Sequence, residues 1–413
     1  MLDIRYIREN PELIQKAASH KGANIDIKKL LKADEDFRQL QVEVQKIREE
    51  RNKAAKERDY EKGKKLKEKL ETVELKLNNL EKQLKLLLIS IPNPAKPDVK
   101  IGKDGTENEI IRKYKEPTKF SFTPKDHLEL GRNLDIIDVD HAAKVSGTRF
   151  AYLKNDAVLL EFALVQLALE TLIKEKFIPI IPPVLIKKEI TQGLGYWQDG
   201  GSEDYYHLSE KNENQEYYLV GTAEHAIVPI HLNETLNIKN LPKRYVGFST
   251  AFRREAGSYG KDTKGILRVH QFDKIEMVSF VEKDNDDQEH EFLLSLEEKL
   301  FQLLDIPYQV VKMCTGDLGF PVARKYDIEA WLPGQQKYRE VTSVSTVTDF
   351  QSRRLNIKYR KENTTEFVSI LNGTVFAIGR TIIAILENYQ QQDGSIKVPQ
   401  ILQKYLGKEV ISA

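Results

Sequence analysis

Cysteine is nearly absent from this chain of 413 residues, where Cys314 is the single example. One thiol cannot form an intramolecular disulfide, nor can it build a structural zinc site that uses several thiolates. We therefore interpret Cys314 as a small buried hydrophobic side chain.

Long apolar runs are also scarce. The N-terminus breaks its apolar residues with charge before a signal-peptide core could form, and the most apolar later stretch, residues 158–173, contains Glu161, Gln166 and Glu170. The sequence therefore predicts a cytoplasmic protein with no membrane span. Basic and acidic side chains are balanced at 64 and 63, and 31% of the residues are charged. This polarity suggests that some part of the chain exposes an unusually large solvated surface.

Proline is missing from residues 28–89, and Gly63 is the one glycine there. The apolar residues of this stretch recur at alternating spacings of three and four, which is the heptad pattern of a coiled coil. The pattern breaks around residues 59–63, so it predicts two helices, each about 45 Å long, folded into an antiparallel hairpin. The positions predicted to form its seam are Leu30, Ala33, Phe37, Leu40, Val44, Ile47 and Ala54, then Leu66, Leu70, Val73, Leu77, Leu80, Leu84 and Leu87.

Positive charge is concentrated at the far end of this arm. Residues 28–89 carry 18 basic and 13 acidic side chains, and residues 46–69 alone carry 11 and 6, so the whole surplus lies near the tip. A basic tip suits an RNA backbone, because lysine and arginine release its counterions. A solvated coiled coil or a dimerisation rod explains the pattern too, and is the commoner explanation of such charge. The residues predicted to bind RNA are Lys53, Lys56, Lys62, Lys64, Lys65 and Lys67.

Three prolines within residues 91–97 end the arm, and we place the boundary between domains 1–97 and 98–413 there. Before the arm, residues 3–20 predict one short amphipathic helix despite Pro11. After it, residues 156–176 predict a helix packed on a core. Residues 177–183 predict a short apolar strand, and its prolines favour an edge or interface position.

Residues 248–277 are the most informative stretch. They predict two antiparallel strands joined by a polar loop that contains Gly257, Gly260 and Gly265. Alternation would place a charged face on the second strand and a core face opposite it. A charged ligand would explain that face, although a salt-bridge ladder explains it equally well. The charged face would hold Arg268, His270, Phe272, Lys274 and Glu276, and the core face Leu267, Val269, Ile275 and Met277.

Several motifs resemble those of the bacterial-type seryl-tRNA synthetases. Residues 252–258 (FRREAGS) with 265–276 (GILRVHQFDKIE) are similar to motif 2 of that family, and residues 371–381 (LNGTVFAIGRT) with 384–390 (AILENYQ) are similar to motif 3. The proline-rich strand ending at Pro183 resembles motif 1. The resemblance covers nearly the whole chain and extends to residues 218–224 (YLVGTAE), 326–333 (YDIEAWLP), 338–343 (YREVTS) and 348–351 (TDFQ), and to the arm with its exit. Gly221 stands where that family commonly has proline.

The resemblance implies an α+β class II synthetase fold: an antiparallel sheet flanked by helices, preceded by a long antiparallel coiled-coil helical hairpin. It implies a homodimer formed through motif 1, with the hairpin reaching tRNA bound by the partner subunit. The implied activity is a seryl-tRNA synthetase that activates L-serine with ATP to seryl-adenylate. The seryl group would then pass to the terminal ribose of tRNA(Ser), with tRNA(Sec) as a second candidate acceptor.

The resemblance also implies roles for individual residues. Arg253 would bind the α-phosphate of ATP and the serine carboxylate, and Arg380 would hold the γ-phosphate. Glu340 and Ser343 would ligate Mg²⁺, which makes Arg253, Glu340 and Arg380 the candidate catalytic residues. Glu255 would read the adenine amino group and Phe272 would stack on the ring, in an ATP site completed by Arg254, Val269, Val341 and Thr342. The serine site would comprise Thr222, Ala223, Glu224, Arg253, Glu276, Asn372 and Thr374.

Two other functions stay open at this point. A ligase that loads an amino acid onto a carrier protein would resemble the body of the chain, but such proteins lack the arm and usually bind zinc through cysteine and histidine. An RNA-binding protein derived from a synthetase and without activity would carry a damaged motif, whereas motif 2, motif 3 and Glu340 are intact. No two histidines have convincing metal spacing, and we interpret most of them, His127 included, as surface or packing residues.

Overall fold

The computed structural model of the protein describes residues 1–196, 201–209, 216–256 and 264–413. Gly257, Ser258 and Gly260 of the predicted polar loop lie outside these residues. Contacts divide the chain into two compact units, Met1–Pro94 and Ala95–Ala413. The boundary expected from sequence, after Pro97, falls three residues later.

The N-terminal unit is helical: α1 Ile4–Glu9, α2 Pro11–His20, α3 Ile27–Lys56 and α4 Tyr60–Ile89. The prediction of one helix over residues 3–20 is wrong, because Asn10 ends α1 and Pro11 begins α2. Proline fits the first turn of a helix, where its missing N–H has no partner to lose. Pro11 therefore starts a helix rather than interrupting one.

Helices α3 and α4 form the predicted hairpin. Every predicted seam residue is buried or half-buried, and Val44, Ile47, Leu70 and Val73 form a buried cluster. Arg48 also pairs with Glu74 across the seam at 2.7 Å. An exposed ion pair contributes at most about 1 kcal/mol, so the apolar seam is the main source of hairpin stability.

The break between these helices is shorter than the heptads suggest. It covers residues 57–59, and Gly63 lies inside α4. The Asp59 side chain accepts a hydrogen bond from the Lys62 backbone N–H at 3.0 Å and so caps α4 at its first turn. A good N-cap contributes about 1 kcal/mol, which is close to the cost of one glycine in a helix.

The C-terminal unit mixes short helices with strands. Its helices are α5 His127–Asn133, α6 Val139–Ser146, α7 Asp156–Lys174, α8 Lys188–Leu194, α9 Glu224–Ile227, α10 Asp286–Leu303, α11 Phe350–Leu355, α12 Ile378–Tyr389 and α13 Gln400–Leu406. Its strands are β1 Glu109–Tyr114, β2 Ile137–Asp138, β3 Tyr152–Leu153, β4 Ile178–Ile180, β5 Leu185–Lys187, β6 His207–Ser209, β7 Glu216–Leu219, β8 Thr235–Asn237, β9 Lys243–Phe252, β10 Gln271–Val281, β11 Tyr308–Lys312, β12 Arg324–Leu332, β13 Lys337–Thr346, β14 Lys358–Lys361, β15 Thr364–Phe367, β16 Ser369–Ala377, β17 Ile396–Lys397 and β18 Val410–Ile411.

The main sheet has the order β1-β11-β12-β13-β16-β10-β9-β4 among the described residues. All neighbours are antiparallel except β4, which lies parallel to β9 at the edge. The predicted edge position of the proline-rich strand is therefore confirmed. Helices α7, α10 and α12 bury apolar side chains such as Leu164, Leu293 and Ile382 in one core with the sheet. The antiparallel sheet with flanking helices and the preceding hairpin confirm the predicted fold class.

The second strand of the motif 2 stretch starts later than alternation predicts. Strand β10 begins at Gln271, and residues 266–270 lie in turns and bends outside the ladder. There the His270 N–H donates to the Arg149 carbonyl at 2.9 Å instead of to a neighbouring strand. The predicted strand is therefore wrong before Gln271, although Leu267 and Val269 of its predicted core face are buried in the core and Arg268 and His270 are half-buried.

Across residues 1–196, 201–209, 216–256 and 264–413, none of the helices combines the length and the apolar character that a membrane span requires.

Candidate active site

A cavity of about 310 Å³ lies over β12, β13, β16 and β10, which are neighbours in the main sheet. Sheet order explains why residues from distant parts of the sequence meet here: Glu276 of β10, for example, pairs in register with Thr374 of β16. The predicted site residues that line the cavity are Thr222, Glu224, Arg253, Glu255, Val269, Phe272, Glu276, Glu340, Val341, Thr342, Ser343, Asn372, Thr374 and Arg380.

Two predicted site residues lie apart from this lining. Ala223 is buried beneath the surface of the cavity, and Arg254 is exposed with its backbone N–H on the Asp204 carbonyl at 2.8 Å. Their assigned contacts with serine and ATP stay predictions.

Arg253 follows directly after β9 and is fixed from two sides. Its N–H donates to the His270 carbonyl at 2.9 Å, and its own carbonyl lies 3.0 Å from His270 Nδ1. The side-chain Nε donates to the Gly221 carbonyl at 3.0 Å, while the guanidinium carbon lies 5.4 Å from the Phe272 ring centroid. A cation held over an aromatic face in this way is suited to an anionic ligand that carries a planar ring.

Arg380 lies in the first turn of α12 and pairs with Glu340 of β13. Its Nη1 lies 3.1 Å from the Glu340 carboxylate and donates to the Glu340 carbonyl at 3.1 Å. Burial raises the pKa of the Glu340 carboxyl, but the charges of Arg380 and Lys325 outweigh it and lower that pKa to about 2. The Glu340 side chain is therefore a carboxylate at neutral pH, and this is the form that can coordinate a metal cation.

Buried polar groups line another part of the cavity. The Lys274 ammonium lies 2.6 Å from the buried Glu276 carboxylate, which also accepts a hydrogen bond from the Thr222 hydroxyl at 3.2 Å. The Asn372 Nδ2 group is buried without a hydrogen-bond partner among the residues that the structure describes. A buried donor without a partner is costly, so a polar ligand that accepts its hydrogen bond would be stabilised there.

Glu224 is a second buried carboxyl in this part of the cavity. It accepts hydrogen bonds from the Tyr196 hydroxyl at 2.9 Å and from Gln351 Nε2 at 3.3 Å. Burial, with the nearby Glu276 carboxylate, raises the pKa of Glu224 to about 7. Its charge therefore changes within the physiological range of pH.

From the sequence, no contact was assigned to Tyr196, Tyr205, Lys274 or Lys325, which also line the cavity. The alternating pattern placed Lys274 on the charged face but assigned it no contact. Lys325 directly precedes residues 326–333, one of the stretches that carry the family resemblance, and was therefore not included. The two tyrosines carry no sequence signal, because only folding brings them near residues 221–224. Tyr205 also accounts for Gly221, since a Cβ at that glycine would lie 2.5 Å from the Tyr205 ring.

Family models match both units. The Seryl-tRNA synthetase N-terminal domain matches residues 1–95. The tRNA synthetase class II core domain (G, H, P, S and T) matches residues 206–389. The two matches together account for most of the chain.

Relatives and solved structures match over nearly the full length. The serine–tRNA ligase of Dictyoglomus turgidum is 43% identical over 98% of both chains, and that of Thermodesulfovibrio yellowstonii is 40% identical over 100% of both. The crystal structure of seryl-tRNA synthetase from Pyrococcus horikoshii complexed with ATP has a TM-score of 0.93 at 39% identity, covering 100% of this chain and 99% of that one. The cytoplasmic serine–tRNA ligase of Naegleria fowleri in complex with AMP has a TM-score of 0.91 at 32% identity, with the same coverage.

Proposed function

Because the chain belongs to the class II seryl-tRNA synthetase family, we propose that it activates L-serine with ATP to seryl-adenylate and then loads tRNA(Ser). One observation carries this proposal. A single cavity holds the arginines Arg253 and Arg380 together with the buried carboxyls Glu224 and Glu276. Guanidinium groups suit a polyphosphate and carboxylates suit an ammonium group, so the two kinds of side chain fit ATP and an amino acid side by side.

Activation needs no nucleophile from the protein. The serine carboxylate attacks the α-phosphorus of ATP, the bond to the bridging oxygen breaks, and pyrophosphate leaves. The obstacle is repulsion between anions, so the task of the chain is positioning and charge neutralisation. Arg253 would contact both the carboxylate and the α-phosphate, and Arg380 would bind the γ-phosphate. Phe272 would stack on the adenine, with Glu255 at its amino group.

Glu340 and Ser343 fit a magnesium ion. Both line the cavity, and Mg²⁺ is commonly held by one or two carboxylates or hydroxyls with substrate phosphates and water completing the shell. No cluster of three or more histidine, cysteine or acidic side chains suited to a metal occurs within the described ranges, and this agrees with an ion bound mainly through the nucleotide. When bound, Mg²⁺ would neutralise phosphate charge.

Amino-acid selectivity follows from the polar character of the serine site. Thr222, Asn372 and Thr374 would meet the serine hydroxyl or its neighbours, and the carboxylates of Glu224 and Glu276 would meet the ammonium. An analogue without the hydroxyl leaves buried polar groups unpaired, which costs about 10⁴-fold in comparable sites. Threonine, which keeps the hydroxyl, has to be excluded by the size of the pocket.

The proposal is tested by ATP–pyrophosphate exchange with serine, alanine and threonine in turn, without tRNA. We expect exchange with serine, an activity with alanine lower by about 10⁴-fold, and a smaller difference for threonine. Aminoacylation of tRNA(Ser) and tRNA(Sec) is then measured with serine. Exchange without transfer to either tRNA would favour a carrier-protein acceptor, and no exchange with any amino acid would favour an inactive RNA-binding protein.

Glu224 provides a test by pH. Because its pKa lies at about 7, the carboxylate needed for an ammonium ligand forms as pH rises through that value, and the KM for serine should fall about tenfold from pH 6 to pH 8. Glu224→Gln should flatten this dependence.

The raised pKa of Glu224 has the opposite effect on stability. The contribution of this carboxyl to the free energy of unfolding is fully present below about pH 4.5 and is lost as pH rises through 7. The melting temperature of Glu224→Gln relative to the parent should therefore be higher at pH 8 than at pH 5.5, and identical pH profiles for both proteins would contradict the assignment.

We also propose a cytoplasmic homodimer. Leu159, Phe162 and Ile173 of α7 are exposed, as are Ile178 and Ile181 at the edge of the main sheet. Apolar side chains exposed together in this way are typical of a subunit interface. Sedimentation at micromolar concentration should give twice the mass of one chain, and Phe162→Glu should reduce it to one.

A further inference from the structure

His127 is a buried histidine that links two parts of the ATP-binding side of the cavity. It is 4% exposed and begins α5, while Glu387 of α12 accepts hydrogen bonds from both its backbone N–H at 3.1 Å and its ring Nδ1 at 3.2 Å. The other Glu387 oxygen accepts the Gly334 N–H at 2.9 Å. The ring is therefore anchored to the helix that carries Arg380.

The opposite nitrogen of the ring contacts the motif 2 segment. His127 Nε2 accepts the Ile266 backbone N–H at 3.3 Å. Since an acceptor nitrogen carries no proton, the Nδ1 atom holds the proton and donates a hydrogen bond to Glu387. The approach is close enough to exclude any side chain at Gly265, whose φ is +74° and whose Cβ would lie 2.0 Å from Nε2.

The contacted segment, residues 266–268, lines the cavity but lies outside the hydrogen-bonded strands of the main sheet. Ile266 and Leu267 line the cavity, but β10 begins only at Gln271. Arg380 Nε donates to the Leu267 carbonyl at 3.4 Å, and Arg268 pairs with Glu255. A displacement of this segment would therefore move the partners of both Arg380 and Glu255.

We infer that His127 is a positioning residue, which holds residues 266–268 at a fixed place relative to α12 and so sets the geometry of the nucleotide end of the cavity. The inference rests on the proposed function, because it assigns that end to ATP. A histidine that only filled space would not need a hydrogen-bond acceptor at Nε2. The positioning role of His127 does need that acceptor, so the two roles can be distinguished by substitution. The serine site, built from other segments, should be affected little.

Three substitutions test this role. His127→Gln places an amide near Nε2 and keeps an acceptor for Ile266, whereas His127→Asn places one near Nδ1 and keeps the bond to Glu387 alone. His127→Ala removes both. We expect Asn and Ala to raise the KM for ATP about tenfold, the effect of losing roughly one hydrogen bond to a fixed geometry, with the KM for serine changed less than twofold. His127→Gln should stay near the parent.

His231→Ala is the matched control. This histidine is 6% exposed and bonds to Glu234 and Tyr245, outside the cavity lining. Hydrogen exchange at the Ile266 amide should be faster in His127→Asn and normal in His127→Gln and His231→Ala. Equal KM values for ATP in the Asn and Gln variants, or Ile266 exchange unchanged in Asn, would overturn the inference.

A parent protein that shows no serine-dependent exchange would instead count against the proposed function. Calorimetric titration with ATP and the amide exchange at Ile266 measure the effect of His127 without the reaction. Weaker ATP binding in His127→Asn than in His127→Gln would then still support the positioning role. Equal binding by the two variants would reject it.

Discussion

Arg253→Ala is expected to lower serine-dependent ATP–pyrophosphate exchange by about 10³-fold, the usual loss when an arginine that stabilises phosphoryl transfer is removed. In the proposed complex the same guanidinium contacts the attacking carboxylate and the α-phosphate, so its loss affects both reactants. The side chain is already positioned over Phe272 and bonded to the Gly221 carbonyl at 3.0 Å. Its removal therefore takes away a preorganised charge.

The control separates loss of this contact from loss of the fold. Arg253→Lys keeps the charge but not the planar fork, and should give an intermediate loss. Arg360→Ala removes an exposed arginine of β14 and should leave exchange at the parent level. An Arg253→Ala protein with a normal melting temperature and exchange within fivefold of the parent would rule out the assigned role.

Reversal of Lys62, Lys64, Lys65 and Lys67 to glutamate is expected to lower aminoacylation of tRNA(Ser) by about 10²-fold or more while leaving pyrophosphate exchange unchanged. All four lysines are exposed near the start of α4. Each phosphate contact replaced by a negative charge loses counterion release and adds repulsion, so the loss should be largest at low salt. The measurement is kcat/KM for tRNA at two salt concentrations, next to exchange without tRNA.

A second quadruple reversal provides the matched control. Lys28, Lys29, Lys82 and Lys85 are also exposed on the hairpin, but they lie toward its other end. Their reversal changes the net charge equally and should lower aminoacylation much less. Equal losses of aminoacylation in both variants would show that overall charge matters and the position of the lysines does not. An equal loss of pyrophosphate exchange would contradict the assignment of tRNA binding to the hairpin and of serine activation to the cavity.

The hairpin was predictable because heptad spacing depends on near neighbours in sequence. Its break was predicted around residues 59–63 and lies at residues 57–59, because the cap formed by Asp59 decides where α4 begins. The helix over residues 3–20 failed for a similar reason, since Pro11 fits a first helical turn as well as it breaks a helix interior. Boundaries depend on caps, and capping involves single hydrogen bonds.

The cavity was predictable in its charged residues and less so in their surroundings. Motif resemblance identified Arg253, Glu340 and Arg380, and the structure places all three in one lining. The strand predicted over residues 266–270 does not form, and the His270 N–H donates to the Arg149 carbonyl instead of to a neighbouring strand. The hydrogen bond from the Tyr196 hydroxyl to the Glu224 carboxyl depends on tertiary structure, and no local sequence pattern predicts it.

Strand β4 has a consequence for newly synthesised chains. It forms the outer edge of the main sheet, with Pro179 inside it and Pro182 and Pro183 just after it. Proline has no N–H to offer, so a second sheet finds few donors along this edge. Ile181 beside it is 88% exposed. Without these prolines, such an exposed apolar side chain would favour association along the edge. Folded chains that meet at this edge are thereby hindered from pairing strand to strand into growing ladders, and crowded synthesis should yield discrete particles rather than fibres.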